Sequence, residues 1–241
     1  MKILEKLAAK AADNSGAPGV TLAFLGDSVT QGCFELLERS DGGFDNCHDR
    51  QNVYHADLAR ILEVLYPTVP VNIVNAGVAG VGAPHGLERL ERDVLAHKPE
   101  LTVVCFGLND CGKGPEGLGS YLDALGQIFD RLTAAGSEVI FMTPNMMATH
   151  VSPRLTTPLF REIAEKVASR QNAGVLDQYL DAAKALCREK GVPVCDCYGK
   201  WKQLYAGGVD TTALLANGIN HPTRQLHWLF AYELMGTMLE T

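Results

Sequence analysis

Val20-Thr21-Leu22-Ala23-Phe24-Leu25-Gly26-Asp27-Ser28-Val29-Thr30 is an apolar, partly β-branched run closed by a glycine and a short polar turn. Val20 to Leu25 reads as a buried strand. Gly26 permits a sharp turn at its end. Ser28 then opens a helix. That geometry lifts a hydroxyl out of a sheet and points backbone N–H groups at it. A helix start carries unpaired donors and the positive end of the macrodipole, so it favours an anion. The placement suits a serine nucleophile for acyl transfer. It equally suits a serine that caps a helix, and the segment alone leaves both readings open.

The surrounding chain has 241 residues, enough for one large α/β domain spanning 1–241. Hydrophobic residues make up 46% and charged residues 20%, which fits a globular protein with a real core. A net charge of −7, with no Lys/Arg run, argues against nucleic acid as a partner. The first ten residues mix charge through every turn and lack the apolar centre of a signal peptide. They read as an amphipathic helix with Ile3, Leu4 and Leu7 on one face. No apolar stretch reaches bilayer length, so no membrane span is expected and a cytoplasmic location follows. The seven cysteines are scattered through apolar segments and read as reduced and structural. Cys195 and Cys197 have neither zinc-knuckle nor redox-pair spacing.

Strand-like and helical runs alternate. The strands are expected at Val20–Leu25, Val71–Asn75, Leu101–Phe106, Glu138–Thr143 and Val192–Cys195. Helices are expected at about Asn52–Leu65, Gly86–His97, Leu118–Ala135 and Arg224–Leu239, with a long one from Ala164 or Ala173 to Lys190. This alternation predicts a parallel five-stranded sheet with helices on both faces. Gly32–Arg50 and Met146–Thr157 are expected as irregular rims over one end of it. In such sheets the site lies beyond the carboxyl ends of the strands. Chemical residues do follow strand ends: Asn75-Ala-Gly77-Val-Ala-Gly80-Val-Gly82, then Phe106-Gly107-Leu108-Asn109-Asp110, then Thr143-Pro144-Asn145. Asn217-Gly-Ile-Asn220-His221-Pro222 stands directly before the last helix.

Acyl transfer needs a nucleophile, a base and donors for the oxyanion. Ser28 offers the first. His221, in a turn ahead of a helix, is the best base of the seven histidines. His97 and His227 read as structural, while His48, His55, His85 and His150 lie in or near loops that can reach substrate. Asn109 can donate its side-chain amide, and Gly77 a backbone N–H that no side chain shields. No metal cluster is visible, because carboxylates and histidines do not recur at ligand spacing, and no cofactor is expected.

Gly26-Asp27-Ser28, Gly77, Gly107-Leu108-Asn109-Asp110 and His221-Pro222, in that order and each at a strand end or before the last helix, resemble the four signatures of the SGNH hydrolase (GDSL esterase/lipase) superfamily. The likeness runs from about residue 20 to 240. It implies a flavodoxin-like three-layer α/β/α sandwich and hydrolysis of esters through an acyl-serine intermediate. It further implies Ser28 as nucleophile, the Ser28 N–H, Gly77 and Asn109 as oxyanion donors, and His221 as base. Asp27 and Asp110 become residues that tie loops together.

One position departs from the family. An aspartate usually stands three residues before the histidine, and here that residue is Gly218. Asn217 lies one further back and brings no negative charge. In a serine protease the Asp-to-Asn change costs about 10⁴ in kcat, largely through the wrong histidine tautomer. His221 is therefore oriented by a main-chain carbonyl, by Asn217, or by a carboxylate from elsewhere such as Asp210. Competing functions are a flavodoxin-like binder of FMN or phosphate, with Ser28 and Thr30 as donors, and a lysophospholipase or thioesterase with Met146, Met147, Leu155 and Leu159 lining an acyl groove. The polar residues of Gly32–Arg50 (Asp41, Asp45, Asn46, His48, Asp49, Arg50) suit a hydrated alcohol. They point to a small-acyl esterase acting on carbohydrate, with a small-molecule ester as the partner.

Overall fold

The computed structural model describes residues 1–241. The chain opens with helix α1 (Lys2–Ala12), strand β1 (Val20–Gly26) and the single turn α2 (Ser28–Gln31). A hairpin follows, β2 (Cys33–Glu38) and β3 (Phe44–His48), then α3 (Tyr54–Leu65). Next come β4 (Val71–Gly77), α4 (Ala83–Asp93), β5 (Leu101–Cys105), α5 (Leu118–Ala134) and β6 (Glu138–Met142). The last part holds α6 (Pro158–Asn172), α7 (Val175–Lys190), β7 (Val194–Cys195), α8 (Cys197–Ala206) and α9 (Arg224–Glu240).

The five sheet strands are parallel and lie in the order β4-β1-β5-β6-β7. Counted along the chain this is 2-1-3-4-5, the flavodoxin-like order, whose crevice opens where β1 and its neighbour β5 send their connections apart. Burial explains the strand sequences. β5 is buried at every position and β1 at all but Thr21, so both read as unbroken apolar runs rather than alternating ones. Helices α4, α5 and α7 contact one another in series, and α3 packs on α9 to form the other layer. No helix is long and apolar enough to cross a membrane.

Four segments differ from the sequence expectation. Gly32–Arg50 is not irregular: it holds a two-stranded antiparallel hairpin outside the main sheet. Only its first strand is well buried, so the apolar alternation that marks a strand is thin. The expected long helix is two, because Gly174 turns left-handed (φ 70°) between α6 and α7. Helix α4 starts earlier, at Ala83, with Pro84 in its first turn, and His97 sits in a separate 3₁₀ turn. Helix α8 is additional, nucleated by Asp196, whose side chain accepts the Gly199 N–H.

Candidate active site

Gly26 is where β1 turns into the segment that bears Ser28. A Cβ there would stand 2.1 Å from Thr30 Oγ1 and 2.9 Å from the Cys105 carbonyl, so only glycine lets α2 fold back against β5. Asp27 caps that turn, its Oδ1 accepting the Val29 N–H at 3.0 Å. Thr30 anchors the far end: its hydroxyl meets Tyr54 Oη at 2.8 Å and its carbonyl meets His55 Nε2 at 3.1 Å. Thr30 is fully buried in these contacts, which leaves it no free donor for a phosphate.

The result is a fixed Ser28. Its Oγ lies 3.0 Å from His221 Nε2. On the other side of the ring, His221 Nδ1 lies 2.9 Å from the main-chain carbonyl of Phe34, in β2. A carbonyl can only accept, so Nδ1 carries the proton and Nε2 presents its lone pair to the serine hydroxyl. This is the tautomer a general base needs. Burial pushes the imidazole pKa down to about 4, against the opposing pull of the Phe34 hydrogen bond and the Glu35 charge.

The usual aspartate is thus replaced by a peptide carbonyl, and not by Asn217 or Asp210. Asn217 makes no hydrogen bond to the ring: its Oδ1 accepts the backbone N–H groups of Ile219, Asn220 and His221 at 2.9–3.0 Å. It shapes the turn that delivers His221 rather than holding the imidazole. Asp210 caps a 3₁₀ turn and lies 3.7 Å from His150, on the surface.

The strand that carries the Phe34 carbonyl is held in turn by Arg224, in the first turn of α9, three residues beyond His221. Its guanidinium forks onto Glu35 (2.6 and 3.1 Å), reaches Asp49 at 2.8 Å, and stacks 4.3 Å over the Phe34 ring. One side chain therefore ties both ends of the hairpin to the histidine turn.

Ser28 and His221 open into a cleft of about 450 Å³, within the range of small-ligand sites. Asn109 and Asn217 line it too, but Gly77 does not. Gly77 packs against α2, where a Cβ would stand 2.2 Å from the Gln31 nitrogen, and its N–H is already given to Asn75 Oδ1 at 3.0 Å. Gly80, three residues on, is the glycine that faces this cleft. It lines the cleft in a left-handed conformation (φ 76°) with open space before its α-carbon, and its N–H makes no hydrogen bond within the protein. The Ser28 N–H is likewise the first of its helix and has no intrahelical acceptor. Asn109 Nδ2 donates to the Val81 carbonyl at 3.0 Å and, more loosely, to Asp27 Oδ2 at 3.3 Å. Burial beside Asp110 pushes the Asp27 carboxyl up to about 7, partly offset by the Val29 N–H. Asp110 Oδ1 accepts the Ala83 N–H and fills the space before Gly82, pinning the Gly80–Gly82 loop to the Asn109 loop.

The rim is less polar than its sequence. Of the polar residues in Gly32–Arg50 only Asn46 reaches the cleft, beside Leu36 and Phe44. Asp41 and Asp45 pair with Arg39 at the hairpin tip, and Asp49 pairs with Arg224. Of the four methionines and leucines offered as an acyl groove only Met147 lines it; Leu155 lines a neighbouring cleft. None of His48, His55, His85 and His150 enters the main cleft.

Residues 24–229 match the model of the GDSL-like Lipase/Acylhydrolase family. An acetylxylan esterase of Geobacillus stearothermophilus is 32% identical over 92 residues, which is 38% of this chain and 40% of that protein's length. Among solved structures, an acetylxylan esterase from the same organism superposes with a TM-score of 0.66 at 21% identity, over 91% of this chain and 94% of the other. A two-domain esterase active on acetylated mannans gives 0.66 at 18%, over 99% of this chain and 52% of the other. At these identities the structural likeness is one of fold. The family match covers most of the chain, and the chain belongs to the GDSL-like lipase/acylhydrolase family.

Proposed function

We propose that this protein is a serine esterase that removes small acyl groups, acetyl above all, from carbohydrate hydroxyls. The observation that carries the reading is the Ser28 Oγ to His221 Nε2 contact of 3.0 Å, with Nδ1 committed to a pure acceptor. His221 takes the Ser28 proton as the hydroxyl attacks the ester carbonyl. The Ser28 and Gly80 N–H groups and the Asn109 amide receive the oxyanion, Asn109 relinquishing its looser bond to Asp27. His221 then protonates the leaving alcohol, and water repeats the sequence on the acyl-serine.

The acetyl-carbohydrate assignment is supported by the partial sequence relative, an acetylxylan esterase, and by the modest size of the cleft. Hydrolysis of acetylated xylo-oligosaccharides against octanoyl esters tests it. The acetyl saccharides should be turned over faster, with activity absent in Ser28→Ala. Faster turnover of the octanoyl ester would replace the substrate class while leaving the serine mechanism in place.

A further inference from the structure

The cleft that holds Ser28 and the neutral His221 contains one charged side chain, and nothing in the protein neutralises it. Arg170, in the last turn of α6, lines the cleft together with Ser28, Asn109 and Gly112. No Asp, Glu or Lys lines it. Three arginines are sheltered from solvent: Arg89, Arg170 and Arg224. Arg89 donates to the carbonyls of Ala76 and Gly26 and pairs with Asp93. Arg224 pairs with Glu35 and Asp49. Arg170 has no hydrogen-bond acceptor and no ion pair in the protein, although acidic residues outnumber basic ones by 28 to 21. Its guanidinium faces Gly112, where even a methyl group would stay 3.7 Å from Nη1, so no side chain covers it from that side. The charge is felt by buried Cys111, next to Gly112, where it opposes the burial that pushes the thiol up to about 12.

A half-buried guanidinium keeps its planar fork of donors and lends itself to bidentate contact with a carboxylate. Resting on the esterase reading above, we propose that Arg170 is a specificity-determining residue and that the preferred ester carries a carboxylate set apart from the scissile bond. That carboxylate sits either on the sugar, as in an acetylated uronic acid, or on the acyl group, as in a hemisuccinate. The competing role for Arg170 is purely structural, a cation at the carboxyl end of α6.

The test compares three esters on the intact protein: an acetylated methyl xyloside, an acetylated methyl glucuronoside, and a hemisuccinate of the xyloside. The quantity read is the ratio of kcat/KM for each acidic ester to that for the neutral one. In the wild type, one acidic ester should exceed the neutral one by about 10- to 100-fold, the range of a charge-assisted hydrogen-bonded pair. Which one does so places the carboxylate on the sugar or on the acyl group. Arg170→Gln should bring that ratio toward one, and Arg170→Lys, which keeps the charge without the fork, should retain part of it. A wild-type ratio of one or below for both acidic esters overturns the proposal, as does a preference unchanged in Arg170→Gln. Hydrolysis of the neutral ester that is lost in Ser28→Ala keeps the esterase reading standing in either case. Hydrolysis of none of the three overturns both.

Discussion

The imidazole of His221 and the peptide carbonyl of Phe34 meet at 2.9 Å, at the place where an aspartate usually stands in this family. The exchange separates two jobs that a carboxylate does together. A carbonyl fixes the ring's tautomer and orientation as well as a carboxylate does, and it cannot donate and so cannot impose the wrong tautomer. What it cannot supply is a full negative charge for the imidazolium that forms during attack. The protein supports the carbonyl with the Arg224 clamp and keeps the histidine neutral at rest by burying it.

Arg224 acts on the reaction only through the hairpin that carries Phe34. Arg224→Ala should lower kcat by roughly 10- to 100-fold with little change in KM, since small misplacements of a catalytic group cost on that order. Arg224→Lys keeps one ion pair but not the fork and should fall between. Steady-state kinetics on an acetyl ester checks this, and an equal loss in KM would mean that the hairpin serves binding instead.

Gly77 and Gly80 answer differently to alanine. At Gly77 the new methyl would meet α2 backbone at 2.2 Å, so Gly77→Ala should destabilise the fold by about 1–3 kcal/mol or more. At Gly80 there is open space, and the left-handed residue costs about 1–2 kcal/mol. Gly80→Ala should therefore fold and yet lose kcat, because its methyl enters the cleft beside the oxyanion. Thermal unfolding and kcat measured on both variants separate the two effects.

Asn109→Ala should reduce kcat by about 100- to 1000-fold while KM moves little, because the oxyanion exists mainly in the transition state. A loss confined to KM would make Asn109 a substrate-binding residue.

The pH dependence follows from the depressed histidine. His221 must be neutral to accept the Ser28 proton, and its pKa lies near 4 rather than 6.5. The acid limb of kcat/KM should therefore stay flat as pH falls from 7 through 5 and drop only on approach to 4. A limb centred near 6.5 would show a hydrated imidazole, without the burial described here.

Much of this site is legible in the chain because it is encoded by residue type. A buried β1 followed by Gly26 and Ser28 can be read from apolar runs and small residues alone, and Asn109 and His221 stand at strand and helix ends. The orienting group of His221 is not legible, since every residue has a carbonyl and only the hairpin's tertiary position selects that of Phe34. Asn217 misleads for a related reason: an Asn near the histidine signals a ligand as readily as a turn, and here its side chain is consumed by three backbone N–H groups. Gly80 is hidden by Gly77, which is nearer the strand end. The requirement for glycine at Gly77 comes from contact with α2, which no local pattern records.

The most direct measurement is intact-mass analysis after treatment with a fluorophosphonate, on wild type, Ser28→Ala and His221→Ala together. One adduct is expected on the wild type, none on Ser28→Ala and strongly slowed labelling of His221→Ala. No adduct on the wild type, or an adduct that persists in Ser28→Ala, would contradict it.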